Sequence, residues 1–109
     1  MAVTRDFKAT TQARALHDAE FRYGLLTESI ECMLSGDIDT GKLLFRDYIN
    51  VTIGFKELAK LVGKSDKSLM RMFSVKGNPT ANNFFAVLEV LRKRDGVAFQ
   101  VRAVEEQVC

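Results

Sequence analysis

The sequence has no tryptophan, one histidine, one proline and two cysteines in 109 residues. The cysteines, Cys32 and Cys109, lie far apart. A disulfide framework or a zinc site needs more ligands or closer spacing. His17 has no Cys or His at metal-ligand spacing, so neither a metal nor any other cofactor is expected. No apolar run approaches the roughly 20 residues of a membrane span, and residues 1–8 lack the apolar block of a signal peptide. The expected address is the cytoplasm, with no membrane partner. There is no paired Ser/His/Asp arrangement to nominate for catalysis. Gly41-Lys42 and Gly63-Lys64 follow no strand and lack the second glycine and the spacing of a P-loop. An enzyme is therefore not expected.

What is present points to one helical domain. Hydrophobic residues make up 47% and charged residues 28%, which is globular rather than disordered composition, and the length suits a single core. Eight Phe, with Leu and Val, are the expected core filling. Net charge is only +2, but its distribution is uneven. Residues 1–53 carry six Lys/Arg against eight Asp/Glu. Residues 54–76 carry Lys56, Lys60, Lys64, Lys67, Arg71 and Lys76 against Glu57 and Asp66 alone. Residues 77–109 balance at four and four. A local excess of Lys and Arg is what contact with a polyanion requires, whatever the total charge.

Along the chain, residues 1–10 read as a polar arm. From about Thr11 the pattern turns helical, with Leu16, Ala19, Tyr23, Leu26, Ile30 and Met33 at alternating three- and four-residue steps. This stripe predicts a packing helix, with a dimerisation or partner-binding face as the alternative. Gly36 is placed to end the helix in a left-handed conformation. Asp37 or Asp39 is placed to cap a second helix reaching about Val51, with Leu44, Tyr48 and Val51, joined by Leu43 and Phe45, on its buried side. Lys42, Arg46 and Asp47 read as its solvated face. The short connection predicts a helical hairpin.

Gly54 opens the central unit. Phe55, Leu58, Ala59 and Val62 share one helix face, while Lys56, Glu57 and Lys60 look outward. Gly63 suits a turn with positive φ. Ser65 is the expected N-cap of a second short helix, whose Leu69, Met72 and Phe73 point inward. Asp66, Lys67, Ser68, Met70, Arg71 and Ser74 are left outside. Pro79 belongs to a loop, and Thr80 caps a last helix over about 81–94 with Phe84, Val87, Leu88 and Leu91 inward. Phe85 is left over for a subunit contact. Arg92, Lys93 and Arg94 suit the helix dipole first and a phosphate second. Val97, Phe99, Val101 and Ala103 then alternate with Ala98, Gln100 and Arg102, which predicts one half-buried strand. With no other strand in the chain, it would pair with its copy across a two-fold axis or with a partner protein.

Ala59, Gly63 and Leu69, at steps of four and six and flanked by apolar Leu58, Val62 and Met72, resemble the helix-turn-helix of phage-repressor-like regulators. The following residues Gly77, Asn78, Pro79 and Thr80 make the sequence similar to the small addiction-module antidote proteins over roughly residues 50–101. Phe55 departs from the polar, phosphate-contacting residue common at that position in phage repressors. The resemblance implies an all-α, multi-helix repressor-like bundle binding its operator as a homodimer. In this sequence it would form one domain over 1–109: an arm and helical hairpin over 1–53, the helix-turn-helix core over 54–95, and a strand and tail over 96–109. The expected function is sequence-specific transcriptional regulation on double-stranded DNA, with residues 65–73 in the major groove. Asp66, Lys67, Ser68, Met70 and Arg71 would face base edges, and Lys56, Lys60, Lys64 and Lys76 would hold phosphates. The alternative is an antitoxin that sequesters a toxin protein and regulates its own operon.

Overall fold

The computed structural model of the protein describes residues 18–106. The polar arm at 1–10, the helical turns expected from Thr11 through Leu16 and His17, and Cys109 lie outside them. The described residues form five helices and no strand: α1 (Ala19–Leu34), α2 (Ile38–Val51), α3 (Phe55–Val62), α4 (Asp66–Met72) and α5 (Ala81–Asp95). The described part of the protein is all-α. No helix among these residues is long and apolar enough to cross a membrane.

Each helix begins and ends for a local chemical reason. The Asp18 carboxylate accepts from the Phe21 amide at 3.1 Å and caps α1. At the other end Gly36 takes φ 96°, its N–H bonds the Met33 carbonyl, and the Asp37 N–H bonds Cys32 O at 2.9 Å. These are the paired bonds of a Schellman stop. The same Asp37, rather than Asp39, then caps α2 by accepting from the Thr40 amide at 3.2 Å. One residue thus closes α1 and opens α2, which folds the pair into the expected hairpin.

The hairpin is tight because its facing residues are small. The Ser29 hydroxyl, fully buried, donates to the Gly41 carbonyl at 2.9 Å. A Cβ at Gly41 would meet Met33 Cγ at 2.4 Å and Ser29 O at 2.9 Å. This close approach fixes the rotation of α2. Its inner side is Gly41, Lys42, Phe45, Tyr48 and Ile49. The expected inner side is corrected accordingly: Leu43 is 53% exposed, Leu44 and Val51 are half-buried, and Ile49 is fully buried in their place. Lys42, expected on the solvated face, is buried.

The core joins all five helices. Leu26 of α1, Phe45, Tyr48 and Ile49 of α2, Phe55 and Leu58 of α3, Leu69 of α4 and Val87 and Leu91 of α5 form one buried cluster with Phe73. Phe84, half-buried, packs against it, and the rings of Phe45, Phe73 and Phe84 meet as a triangle, with centroids 5.0, 5.2 and 6.3 Å apart. Tilted rings at such spacing gain about 0.5–1.5 kcal/mol per pair beyond area burial. Phe85 stands 62% exposed, its ring edge-on to Phe84 at 5.4 Å.

The strand expected over Val97–Ala103 is not formed. After Gly96, at φ 67°, residues 97–106 are irregular. The Val97 N–H returns to Arg92 O at 3.1 Å, and the Arg92 guanidinium donates to Val97 O at 3.3 Å. A strand needs a neighbour to take its backbone groups. Among the described residues no other segment is extended into a strand, and the first residue of the alternation is instead tied back to the end of α5.

Candidate nucleic-acid interface

α3 and α4 are two short helices joined by a tight turn over residues 63–65. Gly54, at φ 82°, turns the chain out of α2 and donates to Ile49 O at 2.7 Å. In α3 Phe55, Leu58 and Ala59 are buried. Gly63 has the left-handed conformation, φ 72°, and both its N–H and that of Lys64 bond Ala59 O, at 2.9 and 3.1 Å. The Ser65 hydroxyl accepts from the Ser68 amide at 3.1 Å and starts α4. Leu69 and Phe73 anchor α4 from beneath, each essentially free of solvent contact.

That anchoring leaves the opposite side of α4 outside. Lys67, Ser68, Met70 and Arg71 are exposed, with Met70 at 45%. Asp66 is half-buried, and its carboxylate accepts from the Lys67 amide at 2.9 Å, so it also serves the first turn of its own helix. Lys56, Lys60, Lys64 and Lys76 are all exposed.

Two open clefts, each of about 550 Å³, flank α4 and share Arg71. The first runs between α2, the start of α3 and α4, and takes Arg46, Asn50, Phe55, Lys56, Asp66, Met70, Arg71 and Ser74. The amides of the first turn of α3 have no side-chain cap here. Uncapped helix N–H groups beside Lys56 and Arg46 suit an anionic oxygen. The second cleft lies toward the α4–α5 loop. It takes Lys64, Ser65, Ser68, Arg71, Lys76, Asn78 and Asn83, with no carboxylate among its lining residues. Chemically, the pair of clefts offers cationic and carboxamide side chains on both sides of a helix about 10 Å long.

The expected site residues divide accordingly. Lys56, Asp66, Met70 and Arg71 come together in the first cleft, and Lys64, Ser68, Arg71 and Lys76 in the second. Lys67 and Lys60 line neither. Lys67 sits on the exposed first turn of α4. Lys60 pairs with Glu57 at 3.2 Å on the outer face of α3, an exposed pair of small energetic weight. Arg92, Lys93 and Arg94 are engaged within their own helix end, with Val97 O, Glu89 and Asp95 respectively.

Sequence reasoning missed Arg46, Asn50, Asn78 and Asn83. Arg46 and Asn50 stand four apart on α2 and so share one helix edge, a signal present in the sequence but masked by their distance from the basic stretch. Among the described residues no three His, Cys, Asp or Glu side chains converge as a metal-ligand set. Neither a protein-family model, nor a curated protein, nor a solved structure matches this chain.

Proposed function

We propose that this protein is a sequence-specific double-stranded-DNA-binding regulator of transcription that acts as a homodimer, not an enzyme. The observation that carries the reading is α4: its inner side is locked by Leu69 and Phe73, its outer side is free, and cationic clefts run along both flanks. A helix with side chains is about 10–12 Å across, and the major groove is about 12 Å wide. Phosphates on either side of the groove would meet Lys56 and Arg46 in one cleft and Lys64 and Lys76 in the other. Arg71 or Lys67 would read guanine O6/N7, and Asp66 would accept from cytosine N4 or simply favour the helix start.

Fluorescence anisotropy with duplexes from the DNA flanking its own gene tests the reading. A preferred duplex should contain a pseudo-palindrome with half-sites about 34 Å apart. Equal affinity for that DNA and for random duplex at every salt concentration would sink it.

A second reading, an antitoxin that also holds a toxin protein, draws on residues 97–106. These present Val101 and Val104 to solvent at 82% and 73%. Co-expression with the product of the adjacent gene tests it, and a mixture that elutes as two separate species speaks against it.

A further inference from the structure

Lys42 is the described lysine that the fold takes out of water. Its residue is 7% exposed, yet its ammonium is fully engaged. It donates to Ser74 O at 3.2 Å, Val75 O at 3.2 Å and Gly77 O at 2.6 Å, all more than thirty residues away. Three protons meet three carbonyls, the full donor capacity of a lysine. The Asp39 carboxylate is 4.0 Å away with its side chain 88% exposed, so water weakens its share.

Those three carbonyls belong to the segment that leaves α4. Ser74 is wound back on the helix, its N–H and hydroxyl both donating to Arg71 O at 3.2 and 2.7 Å. Gly77 closes the turn with its N–H on Ser74 O at 3.0 Å. Its missing Cβ is required, since one would sit 2.0 Å from Arg71 O and 2.4 Å from Met72 O. The turn that follows α4 therefore presents three of its carbonyls to one fixed positive charge. The other end of that charge is equally fixed, because Gly41 is pressed onto α1.

We propose that Lys42 is a positioning residue for DNA recognition: it pins the exit of α4 to the hairpin and so sets where Arg71 and Lys76 stand, without touching DNA itself. The inference rests on the DNA-binding reading. An arginine cannot substitute, because a planar fork does not converge on three carbonyls as an ammonium does.

The test uses the full chain as wild type, Lys42→Met and Lys42→Arg. Lys42→Met keeps the apolar stem and removes the charge. In the free protein, amide exchange at residues 74–77 should quicken about tenfold in Lys42→Met relative to the α1–α2 hairpin. With DNA, its preference for operator over random duplex should fall about tenfold, while the slope of log K against log salt stays unchanged because no phosphate contact is lost. Lys42→Arg should fail to restore the exchange pattern. A slope reduced by about 0.9 would overturn the proposal, since that marks Lys42 as a phosphate contact. Wild-type exchange at 74–77 in Lys42→Met would overturn it too. Should Lys42→Met not fold, acetylation of the wild-type protein still decides: Lys42 must react at least about tenfold more slowly than Lys67, and equal rates overturn the seat. If wild-type protein binds no duplex selectively, the DNA reading falls and this role in recognition falls with it. The exchange and acetylation readouts then report separately whether Lys42 seats the loop.

Discussion

The Tyr48 hydroxyl donates to the Asp95 carboxylate, joining the last turn of α2 to the last residue of α5. Tyr48 is fully buried and the Asp95 side chain is 5% exposed. Tyr48→Phe leaves that carboxylate without its hydroxyl donor. It should destabilise the fold by about 1–3 kcal/mol near neutral pH, read from urea unfolding midpoints.

Desolvation pushes the Asp95 carboxyl above its ordinary value, against the opposing pull of Arg22. The folded state then holds this proton more readily than the unfolded state, so the contribution of Asp95 to stability declines as pH rises from about 4 through the raised native value. Asp95→Asn, which cannot ionise and can still accept from Tyr48, should flatten that part of the stability–pH curve. A wild-type curve in which this group's contribution rises over the same interval would contradict the sign.

Two glycines should respond to alanine with opposite signs. Gly24 lies inside α1, and a methyl added there would have no atom within 4 Å, so Gly24→Ala should stabilise by about 0.5–1 kcal/mol. Gly41→Ala forces a methyl against Met33 and the Ser29 carbonyl and should cost about 1–3 kcal/mol. Thermal denaturation of the two variants beside wild type reads both shifts.

If α4 reads DNA as proposed, replacing Arg71 or Lys67 by alanine should cost about 1–3 kcal/mol at its own base pair and relax preference there. Arg46→Ala should instead weaken binding evenly across sequences and reduce the salt slope by about 0.9. Lys60→Ala, which mainly loses its Glu57 partner, should do less than Arg46→Ala. Anisotropy titrations on the preferred and mismatched duplexes separate the three patterns.

Local chemistry is readable in the sequence, and long-range placement is not. Gly36, Gly63, Ser65 and Thr80 act as the stops and caps that their residue types favour. The inner face of α2 escapes a sequence reading because Leu43, Leu44 and Phe45 are three consecutive apolar residues and leave the helical phase open. Gly41 settles the phase by touching Ser29 and Met33, a contact no periodicity contains. The alternation after Gly96 is real, but alternation alone does not supply a neighbouring strand. Likewise, Arg46 and Asn50 join the basic unit only because α2 packs beside the start of α3, while Lys42, which reads as an ordinary surface lysine, turns inward toward carbonyls from another part of the chain.

The triangle of Phe45, Phe73 and Phe84 has a consequence for how α4 exists at all. A seven-residue helix is far shorter than the roughly 12–15 residues at which isolated helices become marginal in water. Its shape is borrowed from rings contributed by α2 and α5, so it has no folded life apart from them. A peptide of residues 65–73 should be unstructured by circular dichroism, and α4 should melt together with the core rather than ahead of it.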